Sequence, residues 1–395
     1  MKKVAFLTHT LDGGGAERVI SNLSQRLSSK YDVVIMLLDG SKVSYPHGGR
    51  LVDVWSDHAL DHDNTSRDFN PLQLIQMLRS LRKALREERV DLLISFLEIP
   101  NLLNFLTNGS HRRIVSVRNH MSGKNKGLLG RLALNLVHRF TERTIAVSEL
   151  IRIDLIENFG ADPERISVIN NPVDKEAIDD LKKGDIGIDD EIWRGRPVII
   201  NIGRLTPSKG QDLLIRAFSK VQDTFPGARL VILGEGPEES RLKSVIEMMG
   251  LKNRVVLLGF QKNPYAFLYR SDLFVLSSHH EGFPNSMLEA MACGLPVVSV
   301  DCPSGPREIL APDGDMTLVT EDTEMARFGI LTPPWTEGDS AEECLVEAIK
   351  SILSDDELRE SYSLLSIERA GDFSIDAAVS QWEDEISLIL KSSDI

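Results

Sequence analysis

The chain has 395 residues, 42% of them hydrophobic and 26% charged, with a net charge of −14 at pH 7. This length exceeds what one compact core usually holds, so two domains are the default expectation. The acidic balance argues against nucleic-acid binding over the whole surface, and the longest apolar runs have the length of strands, not of membrane spans. Three cysteines form no CxxC pair, and the first ten residues predict a strand rather than a signal peptide. We therefore expect a reduced, cytoplasmic protein without zinc.

Strand-length apolar runs alternate with amphipathic stretches along the first half, which is the pattern of a parallel α/β sheet. The predicted strands are 4–8, 32–38, 92–96, 114–117, 144–147 and 166–169, and the predicted helices are 16–29, 71–88 and 148–159. This half ends at Asn170-Asn171-Pro172, a predicted structural turn at a hinge. The polar stretch 173–197 that follows predicts a domain linker.

The second half repeats the α/β alternation. Its predicted strands are 198–202, 229–233, 255–258, 273–276 and 296–300, and its predicted helices are 211–223, 238–249, 288–293, 340–354, 355–370 and 374–390. The segment 303–334 is predicted to be irregular, with a surface loop over 311–328. In open α/β sheets, ligands bind at the carboxyl ends of the strands, so the turns there are the candidate sites.

Two glutamates, Glu281 and Glu289, bracket a turn between a predicted strand and a predicted helix. The turn holds Phe283, Pro284, Asn285 and Ser286. Backbone N–H groups at a helix start bind anions. Glu289 lies in an apolar stretch, where a buried carboxylate is costly unless it is hydrogen-bonded. Carboxylates beside such amides suit a ligand with hydroxyls and phosphates, such as a nucleotide sugar; two solvated surface acids are the alternative.

A glycine loop follows the first predicted strand and opens the first helix. Its residues Gly14 and Gly15 would let the backbone approach a phosphate. A dinucleotide fingerprint needs a third glycine, but Arg18 holds that position, although Asp39 could mimic the ribose-binding acid. NAD binding is therefore weakened but stays open, as does a glycine turn without any ligand.

Two further turns follow strands of the second half. In the first, Gly203-Arg204 and Lys209-Gly210 place two cations five positions apart, a spacing that can meet a diphosphate. In the second, Gly234 and Glu235 form part of a Gly-x-Gly turn that is compatible with phosphate or ribose. In the first half, His120 follows the strand 114–117 and is a candidate acid, base or hydroxyl partner, although a lone histidine at a strand end is more often structural.

Together these turns resemble glycosyltransferase family 4. The resemblance rests on the Glu281-to-Glu289 spacing, the two second-half turns, the glycine loop and Asn171-Pro172-Val173-Asp174. It implies a GT-B fold with two Rossmann-like α/β domains facing a central cleft. It also implies an acceptor-binding domain over 1–172, completed by a helix at about 375–395 that crosses back, and a nucleotide-sugar domain over 198–373.

The same resemblance implies a role for each matching position. Arg204 and Lys209 would hold the donor diphosphate and stabilise the leaving group, and Glu289 would take the ribose hydroxyls. Glu281 would meet the transferred sugar, near which His120 would also lie. Gly14 and Gly15 would approach the phosphate from the other domain. No metal or other cofactor is implied, because the two cations supply the charge.

The implied reaction retains the anomeric configuration and needs no protein nucleophile, although Glu281 stays open as one. The segment Cys302 to Leu310 resembles members that use UDP-hexose or UDP-N-acetylhexosamine donors in bacterial glycan assembly. The expected function is therefore transfer of such a sugar to a glycan or a polyprenyl-pyrophosphate-linked acceptor. The alternatives are a sugar-nucleotide epimerase of the same fold and a nucleotide-sugar-binding protein without catalysis.

The charge along the chain is uneven. Residues 75–152 hold fourteen Lys and Arg against six Asp and Glu, a net charge of +8 within an acidic protein. Such a region favours a local anionic partner, either a phospholipid surface or a pyrophosphate-bearing acceptor. The apolar and cationic stretch 127–140 could lie on a membrane or could equally be a core helix. The hypothesis is a peripheral enzyme at the inner face of the cytoplasmic membrane.

Overall fold

The computed structural model describes residues 1–55, 71–122, 135–139, 141–187, 193, 196–335 and 340–391. The described residues divide into two compact units. One lies within Met1–Asn171 and Ile375–Ile395, and the other within Pro172–Ser374. Each unit is built around its own sheet and its own buried apolar core.

The first unit has a seven-stranded sheet in the order β3-β2-β1-β4-β5-β6-β7, with every neighbouring pair parallel. Central strands such as β1 and β4 are buried on both faces, which explains their unbroken apolar sequences. The strands are β1 (Lys3–Thr8), β2 (Asp32–Leu37), β3 (Arg50–Asp53), β4 (Leu92–Phe96), β5 (Arg112–Val117), β6 (Arg143–Ala146) and β7 (Ile166–Val168).

The helices that the structure bounds within the first half of the chain include α1 (Gly15–Leu27), α2 (Pro71–Glu88), α3 (Glu98–Leu106) and α4 (Glu149–Phe159). The sequence did not predict α3 or β3. Helix α3 contains two asparagines, Asn101 and Asn104, that suggest a loop in sequence but are buried here. Their amides donate to the carbonyl oxygens of Ser116 (2.8 Å) and Ile114 (3.1 Å), so the polar groups are satisfied inside the unit.

The second unit also has a seven-stranded sheet, in the order β10-β9-β8-β11-β12-β14-β13. Its strands are parallel except for the β13–β14 pair. The strands are β8 (Val198–Ile202), β9 (Arg229–Leu233), β10 (Val255–Leu257), β11 (Leu273–Leu276), β12 (Val297–Val300), β13 (Glu324–Ala326) and β14 (Gly329–Thr332). The helices are α5 (Lys175–Leu181), α6 (Gln211–Thr224), α7 (Glu239–Met248), α8 (Tyr265–Leu268), α9 (Asn285–Ala292), α10 (Pro306–Leu310), α11 (Ser340–Ser354) and α12 (Asp356–Gly371).

Two segments differ from their predicted structure. Within 173–197, helix α5 forms because Asp174 caps its first turn, accepting from the Ala177 N–H at 3.0 Å. Residues 188–192 and 194–195 of this stretch lie outside the described residues. Within 303–334, α10, β13 and β14 replace the predicted irregular segment, because the antiparallel hairpin of β13 and β14 extends the sheet beyond β12.

The last helix, α13 (Ile375–Lys391), packs in the core of the first unit. Trp382 is 1% exposed and its ring lies 5.6 Å from that of Phe96. The guanidinium of Arg143 donates to both carboxylate oxygens of Glu385, at 2.6 and 2.9 Å. The chain thus returns to the first unit, as the resemblance to glycosyltransferase family 4 implies.

In each sheet the strand order reverses at one place, between β1 and β4 in the first unit and between β8 and β11 in the second. The loops that leave these strands diverge to opposite sides of the sheet and open a crevice at the carboxyl ends of the strands, where ligands of open α/β sheets bind. The glycine loop follows β1. The cation turn follows β8, and the turn with Glu281 follows β11.

Candidate active site

The cation turn after β8 presents both of its charges at the surface. Arg204 is exposed, and 28% of the Lys209 side chain is exposed. A short 3₁₀ turn, Pro207–Lys209, ends at Gly210 in the left-handed conformation (φ 59°). The side-chain amide of Gln211 donates to the Arg204 carbonyl at 3.1 Å, which fixes the other end of the turn.

Close backbone contacts hold this turn against its neighbours. The Ser277 hydroxyl donates to the Lys209 carbonyl at 3.0 Å, and the His279 N–H donates to the Ser208 carbonyl at 2.9 Å. A Cβ at Gly210 would overlap the carbonyl oxygen of Ser277. Only glycine therefore combines this φ with this approach, and the cations are held in a fixed place relative to β11.

The turn after β11 brings Glu281 to Lys209. The ammonium of Lys209 lies 2.6 Å from Oε1 of Glu281, and the Ser278 hydroxyl donates to the same oxygen at 2.6 Å. The Glu281 side chain is only 9% exposed. The sequence predicted both residues for one site but did not predict their direct contact, because they lie far apart along the chain.

The predicted anion-binding turn leads into α9, which begins at Asn285, with Ser286 in its first turn. The N-cap residue of α9 is Pro284, whose side chain makes no capping hydrogen bond to this end of the helix. Phe283 is buried, with its ring 5.3 Å from that of Phe373. The Ser304 hydroxyl donates to the Gly282 carbonyl at 2.6 Å, and a Cβ at Gly305 would lie 2.6 Å from Cδ of Pro284. The 304–305 segment therefore packs against this turn and fixes its position.

Glu289 lies inside α9 and is 7% exposed, among Met287, Leu288, Ala290 and Met291, which are fully buried. Burial, and secondarily the negative charge of Glu289, raise the pKa of the nearby Cys293 thiol to about 12. The structure therefore places an acidic group within a largely apolar layer at the same end of the sheet as Glu281.

The Gly-x-Gly turn after β9 packs on the cation turn. A Cβ at Gly234 would overlap the Gly203 carbonyl oxygen, and the Leu205 N–H donates to the Glu235 carbonyl at 2.9 Å. The Glu235 side chain is exposed and accepts from the Phe260 N–H at 3.2 Å. Gly203 and Gly234 therefore let two loops touch, which positions Arg204.

In the first unit, the carboxylate of Glu17 on α1 lies against the glycine loop. A Cβ at Gly14 would overlap Oε2 of Glu17 and lie 2.6 Å from its Cδ, so the Glu17 side chain folds back over the loop. Glu17 is 8% exposed. Asp39, the candidate ribose acid, accepts from both the N–H (3.0 Å) and the hydroxyl (2.5 Å) of Ser41, and thus stabilises its own turn.

Arg118, at the end of β5, is a buried cation that sequence reasoning did not single out. Its guanidinium donates to Oδ1 of Asn171 and lies 5.5 Å from the ring centroid of Phe96. Burial lowers the pKa of Arg118 to about 10, and the negative charge of Glu17 opposes that shift. No signal of local spacing could have found the Arg118–Asn171 contact, since the two residues lie 53 positions apart along the chain.

His120 lies in the turn after β5, with 19% of its side chain exposed and its Nε2 3.8 Å from Oδ2 of Asp154. Its Nδ1 is buried and has no hydrogen-bond partner within the described part of the chain. Asp154 fixes the following residues by accepting from the N–H groups of Met121 (2.9 Å) and Ser122 (3.2 Å). The turn that carries His120 is thus anchored to α4.

Arg307 anchors the segment after β12, another feature that the sequence did not reveal. Its guanidinium lies 2.5 Å from Asp301 and 2.8 Å from Glu324, and the Thr320 N–H donates to Asp301 at 2.8 Å. This buried cluster ties the predicted 311–328 loop to the sheet.

The basic region 75–152 is less exposed than its charge suggests. Arg82 donates to the Leu106 carbonyl at 2.7 Å, Arg113 to Glu142 at 3.3 Å, and Arg118 is buried. Of the stretch 127–140, only 135–139 lies within the described residues; Lys124 and Lys126 lie outside them. Along α2, in contrast, an exposed stripe begins with Leu72 and Ile75 and continues through Arg79, Lys83 and Arg86.

The described residues contain neither a helix that could span a membrane nor a cluster of side chains that could bind a metal ion. None of the helices there is both long enough and apolar enough to cross a membrane. No group of three or more His, Cys, Asp and Glu side chains in that part of the chain could hold a metal ion.

Two family models match the chain. Residues 13–177 match the model described as Glycosyltransferase Family 4, and residues 189–330 match Glycosyl transferases group 1. An uncharacterized glycosyltransferase of Methanocaldococcus jannaschii is 32% identical over 79% of this chain and 83% of its own length. The N-acetylgalactosamine-N,N'-diacetylbacillosaminyl-diphospho-undecaprenol 4-alpha-N-acetylgalactosaminyltransferase of Campylobacter jejuni is 29% identical over 94% of this chain and 96% of its own length.

Solved structures share the fold. The Anabaena protein HepE in complex with UDP-glucose superposes with a TM-score of 0.76 at 20% identity, covering 98% of this chain and all of that one. The lipopolysaccharide glycosyltransferase WaaG superposes with a TM-score of 0.72 at 17% identity, covering 97% of this chain and 99% of the other. Both likenesses are to GT-B glycosyltransferases.

Proposed function

Because the chain belongs to glycosyltransferase family 4, we propose that it moves a hexose or N-acetylhexosamine from a UDP-sugar to a glycan or lipid-linked glycan acceptor, with retention of configuration. The observation that carries this proposal is the contact between Lys209 and Glu281 at the strand reversal of the second unit. It joins a cation suited to a diphosphate with a carboxylate suited to sugar hydroxyls. The protein is a hexosyltransferase of glycan assembly. We propose the identity of its donor, the class of its acceptor and the retention of anomeric configuration.

On the donor side, Arg204 and Lys209 bind the diphosphate. Both are exposed enough to exchange water for phosphate oxygens, and close glycine contacts fix their turn. As the sugar–phosphate bond breaks, negative charge grows on the leaving UDP, and fixed cations stabilise that charge more than the ground state. This supports a reaction without a divalent metal, which we propose as well. The amides at the start of α9, around Asn285 and Ser286, add to the same anion site.

Glu289 and Glu281 hold the hydroxyl-bearing ends of the donor. Glu289 is 7% exposed inside α9, and its carboxylate can accept from the two ribose hydroxyls. Glu281 is oriented by Lys209 and Ser278 and accepts from the transferred sugar. Beyond the second unit, we propose that His120 of the first unit contacts that sugar.

The surroundings of Glu281 favour positioning over nucleophilic attack. Its Oε1 already takes hydrogen bonds from Lys209 and Ser278, and a carboxylate oxygen so engaged is a weaker nucleophile. Retention therefore follows from attack on the same face, in which the leaving phosphate takes the proton of the acceptor hydroxyl. Glu281→Gln should then lower turnover without trapping a glycosyl-enzyme, whereas a covalent adduct on Glu281 in mass spectra would reverse this assignment.

On the acceptor side, we propose that the first unit binds the acceptor and contacts the membrane. The Campylobacter relative is named for an undecaprenol-diphosphate-linked acceptor. The stripe on α2 combines exposed apolar residues, Leu72 (66%) and Ile75 (47%), with the cations Arg79, Lys83 and Arg86. This combination suits a helix that lies on an anionic lipid surface.

A donor screen that measures UDP release tests the reaction. UDP-glucose, UDP-galactose and their N-acetylated forms would be offered with and without a synthetic prenyl-diphosphate-linked N-acetylhexosamine. Release that depends on the acceptor supports transfer. Conversion of the UDP-sugar without an acceptor and without release would indicate the epimerase alternative, and UDP binding with neither reaction would indicate a binding protein.

A vesicle assay tests membrane contact. The protein should bind vesicles with 30% phosphatidylglycerol more strongly than pure phosphatidylcholine vesicles, and salt should weaken the binding. Replacing Arg79, Lys83 and Arg86 by Gln should remove the difference. The matched control replaces Arg241, Lys243 and Lys252, three exposed cations of the second unit. Equal binding to both vesicles would contradict membrane contact.

A further inference from the structure

We propose that Ser304 is a positioning residue for sugar transfer: its hydroxyl holds the backbone of the turn that carries Glu281 and so sets where the Glu281 carboxylate meets the donor sugar. Ser304 lies between β12 and α10 and is 3% exposed. It acts through the turn and does not itself touch the donor. The inference rests on the proposed role of Glu281 and extends the site to a second segment of the chain.

The first step is the contact between Ser304 and the turn after β11. The Ser304 hydroxyl donates to the carbonyl oxygen of Gly282 at 2.6 Å, inside the unit. Gly282 directly follows Glu281, and its carbonyl belongs to a planar peptide group, so that fixing the oxygen fixes the direction of the whole peptide. The side chain of Glu281 is held separately, by Lys209 and Ser278. Ser304 therefore restrains the backbone next to a carboxylate whose head is already oriented.

The second step is the close fit of the next residue against the same turn. Gly305 has a φ of 91°, and a Cβ built on it would lie 2.6 Å from Cδ of Pro284 and 3.0 Å from Cα of Phe283. Only glycine lets the segment approach the turn this closely at this φ. The contact continues the Ser304 hydrogen bond along the turn toward the start of α9, which leaves the turn little room to shift.

The third step is the backbone conformation of Ser304 itself. Its φ of 74° lies in the left-handed region, which is unfavourable for a residue with a Cβ. Residues in such conformations persist only where their surroundings hold them, and they cluster at functional sites. Glycine would adopt this φ without steric cost. What serine adds over glycine at this position is the buried hydroxyl that contacts Gly282.

The fourth step is the anchoring of the segment that carries Ser304. Arg307 is 7% exposed, and its guanidinium donates to Asp301 at 2.5 Å and to Glu324 at 2.8 Å. The Asp301 N–H donates to the carbonyl oxygen of Thr332 on β14 at 2.8 Å. Both ends of the 301–307 segment are thus tied to the hairpin of β13 and β14. Because Ser304 lies between two anchored positions, its hydrogen bond restrains the turn after β11 and does not simply move with it.

Ser304→Gly is the principal variant, since it removes the hydroxyl and relieves the strained φ at the same time. In the donor screen with the four UDP-sugars, its highest kcat should fall about 10-fold below that of the wild type, because the Glu281 carboxylate is no longer held where the transferred sugar meets it. UDP affinity, measured by calorimetry, should stay within about twofold, because UDP carries no sugar for Glu281 to contact.

Ser363→Ala is the matched control. The Ser363 hydroxyl donates to the carbonyl oxygen of Gly294, also at 2.6 Å, beyond the other end of α9. The variant therefore loses the same kind of contact, from a serine hydroxyl to a glycine carbonyl, away from the turn, and its kcat should stay within about twofold of the wild type. An equal loss of kcat in Ser363→Ala and Ser304→Gly would show a general effect of packing around α9 and would overturn the assignment.

Ser304→Ala separates turnover from stability. It also removes the hydroxyl but keeps a Cβ at a positive φ, so its urea midpoint should lie below that of Ser304→Gly. Assayed while fully folded, the two variants should lose kcat to the same extent. If kcat instead follows the urea midpoints, with Ser304→Gly close to the wild type, Ser304 serves only the stability of the fold and the inference is wrong.

Glu281→Gln distinguishes a failure of this inference from a failure of the proposed function. Slow turnover of both Glu281→Gln and Ser304→Gly is the expected result. If Glu281→Gln turns over at the wild-type rate, the proposed sugar contact of Glu281 is wrong and the role of Ser304 is wrong with it. If Glu281→Gln is slow while Ser304→Gly keeps the wild-type kcat, the role of Glu281 stands and only the Ser304 assignment is overturned.

Discussion

The two sheets place their charges at the strand reversal in opposite ways. In the second unit, Arg204 and Lys209 are exposed on a turn that backbone contacts hold rigid. In the first unit, Arg118 is buried and a carboxylate, Glu17, covers the glycine loop. The same topology therefore exposes cations after one strand of the second unit and buries charged side chains near the corresponding strand of the first.

This difference shows that a glycine loop at a helix start does not define its ligand by itself. Whether it binds phosphate depends on the charges that the rest of the sheet brings to it. An exposed cation can exchange water for a phosphate oxygen, whereas a buried one must already be paired to be tolerated. The four predictions below test this contrast from the largest expected effect to the smallest.

Arg118→Ala should lower the free energy of unfolding by about 2–3 kcal/mol, because it removes a buried guanidinium that donates to Asn171 and Ser116 and packs against the Phe96 ring, and it leaves their buried oxygens without that donor. Chemical denaturation of the variant measures the loss. A cost below about 1 kcal/mol for Arg118→Ala would mean that Arg118 is as solvated as the cations of the second unit.

Arg204→Ala and Lys209→Ala should each lower turnover by about one to two orders of magnitude, since each removes a charge that stabilises the leaving diphosphate. Arg204→Ala should change stability little, because its side chain is exposed, whereas Lys209→Ala also leaves the largely buried Glu281 carboxylate without its cation and should lower stability. Steady-state kinetics with the donor from the screen measures the effect, with Lys243→Ala on α7 as an exposed control. Unchanged kinetics in both variants would remove the diphosphate role.

Gly210→Ala should destabilise the second unit by about 2 kcal/mol or more and weaken UDP binding. The added Cβ must be accommodated at a positive φ, which costs about 1–2 kcal/mol, and it also overlaps the Ser277 carbonyl oxygen. Gly250→Ala is the matched control, because Gly250 has a similar φ of 69° with open space around its Cβ position. Melting temperatures and UDP calorimetry on both variants separate the contact with Ser277 from backbone strain. Equal effects of the two substitutions would show that the cation turn is not locked against β11.

The sequence predicts the fold class, but it does not predict most of this difference in where the two units place their charges. Strand-length apolar runs and glycine turns are local signals, so β4, β8, β9 and β11 were predicted with their observed bounds. The turn residues Arg204, Lys209 and Glu281 were found for the same reason. Their direct ion pair was not, since it depends on β8 and β11 being neighbours in the sheet.

The unpredicted features all depend on contacts between distant segments. Asn101 and Asn104 look like loop residues until their hydrogen bonds to neighbouring strands are known. The Arg118–Asn171 and Arg307–Asp301 contacts likewise form only when the sheets assemble. The net charge of residues 75–152 overstates the basic surface of the first unit for a related reason, because several of these cations are buried or donate to groups within the unit.

The smallest predicted effect concerns acid stability, again in the first unit. Burial, and secondarily the charge of Arg113, lower the pKa of His111 to about 4, and its Nε2 lies 2.9 Å from the Thr107 hydroxyl. Because the unfolded chain binds the proton near pH 6.5 and the folded chain near 4, neutral His111 stabilises the fold above pH 6.5. That stability is lost as the pH falls toward 4. Between pH 7 and 5 the wild type should lose about 1–2 kcal/mol more than His111→Gln, which has no proton to gain. Denaturant titrations of both proteins at the two pH values measure the difference, and an identical pH dependence would show that His111 is solvated like the ionisable groups of the cation turn.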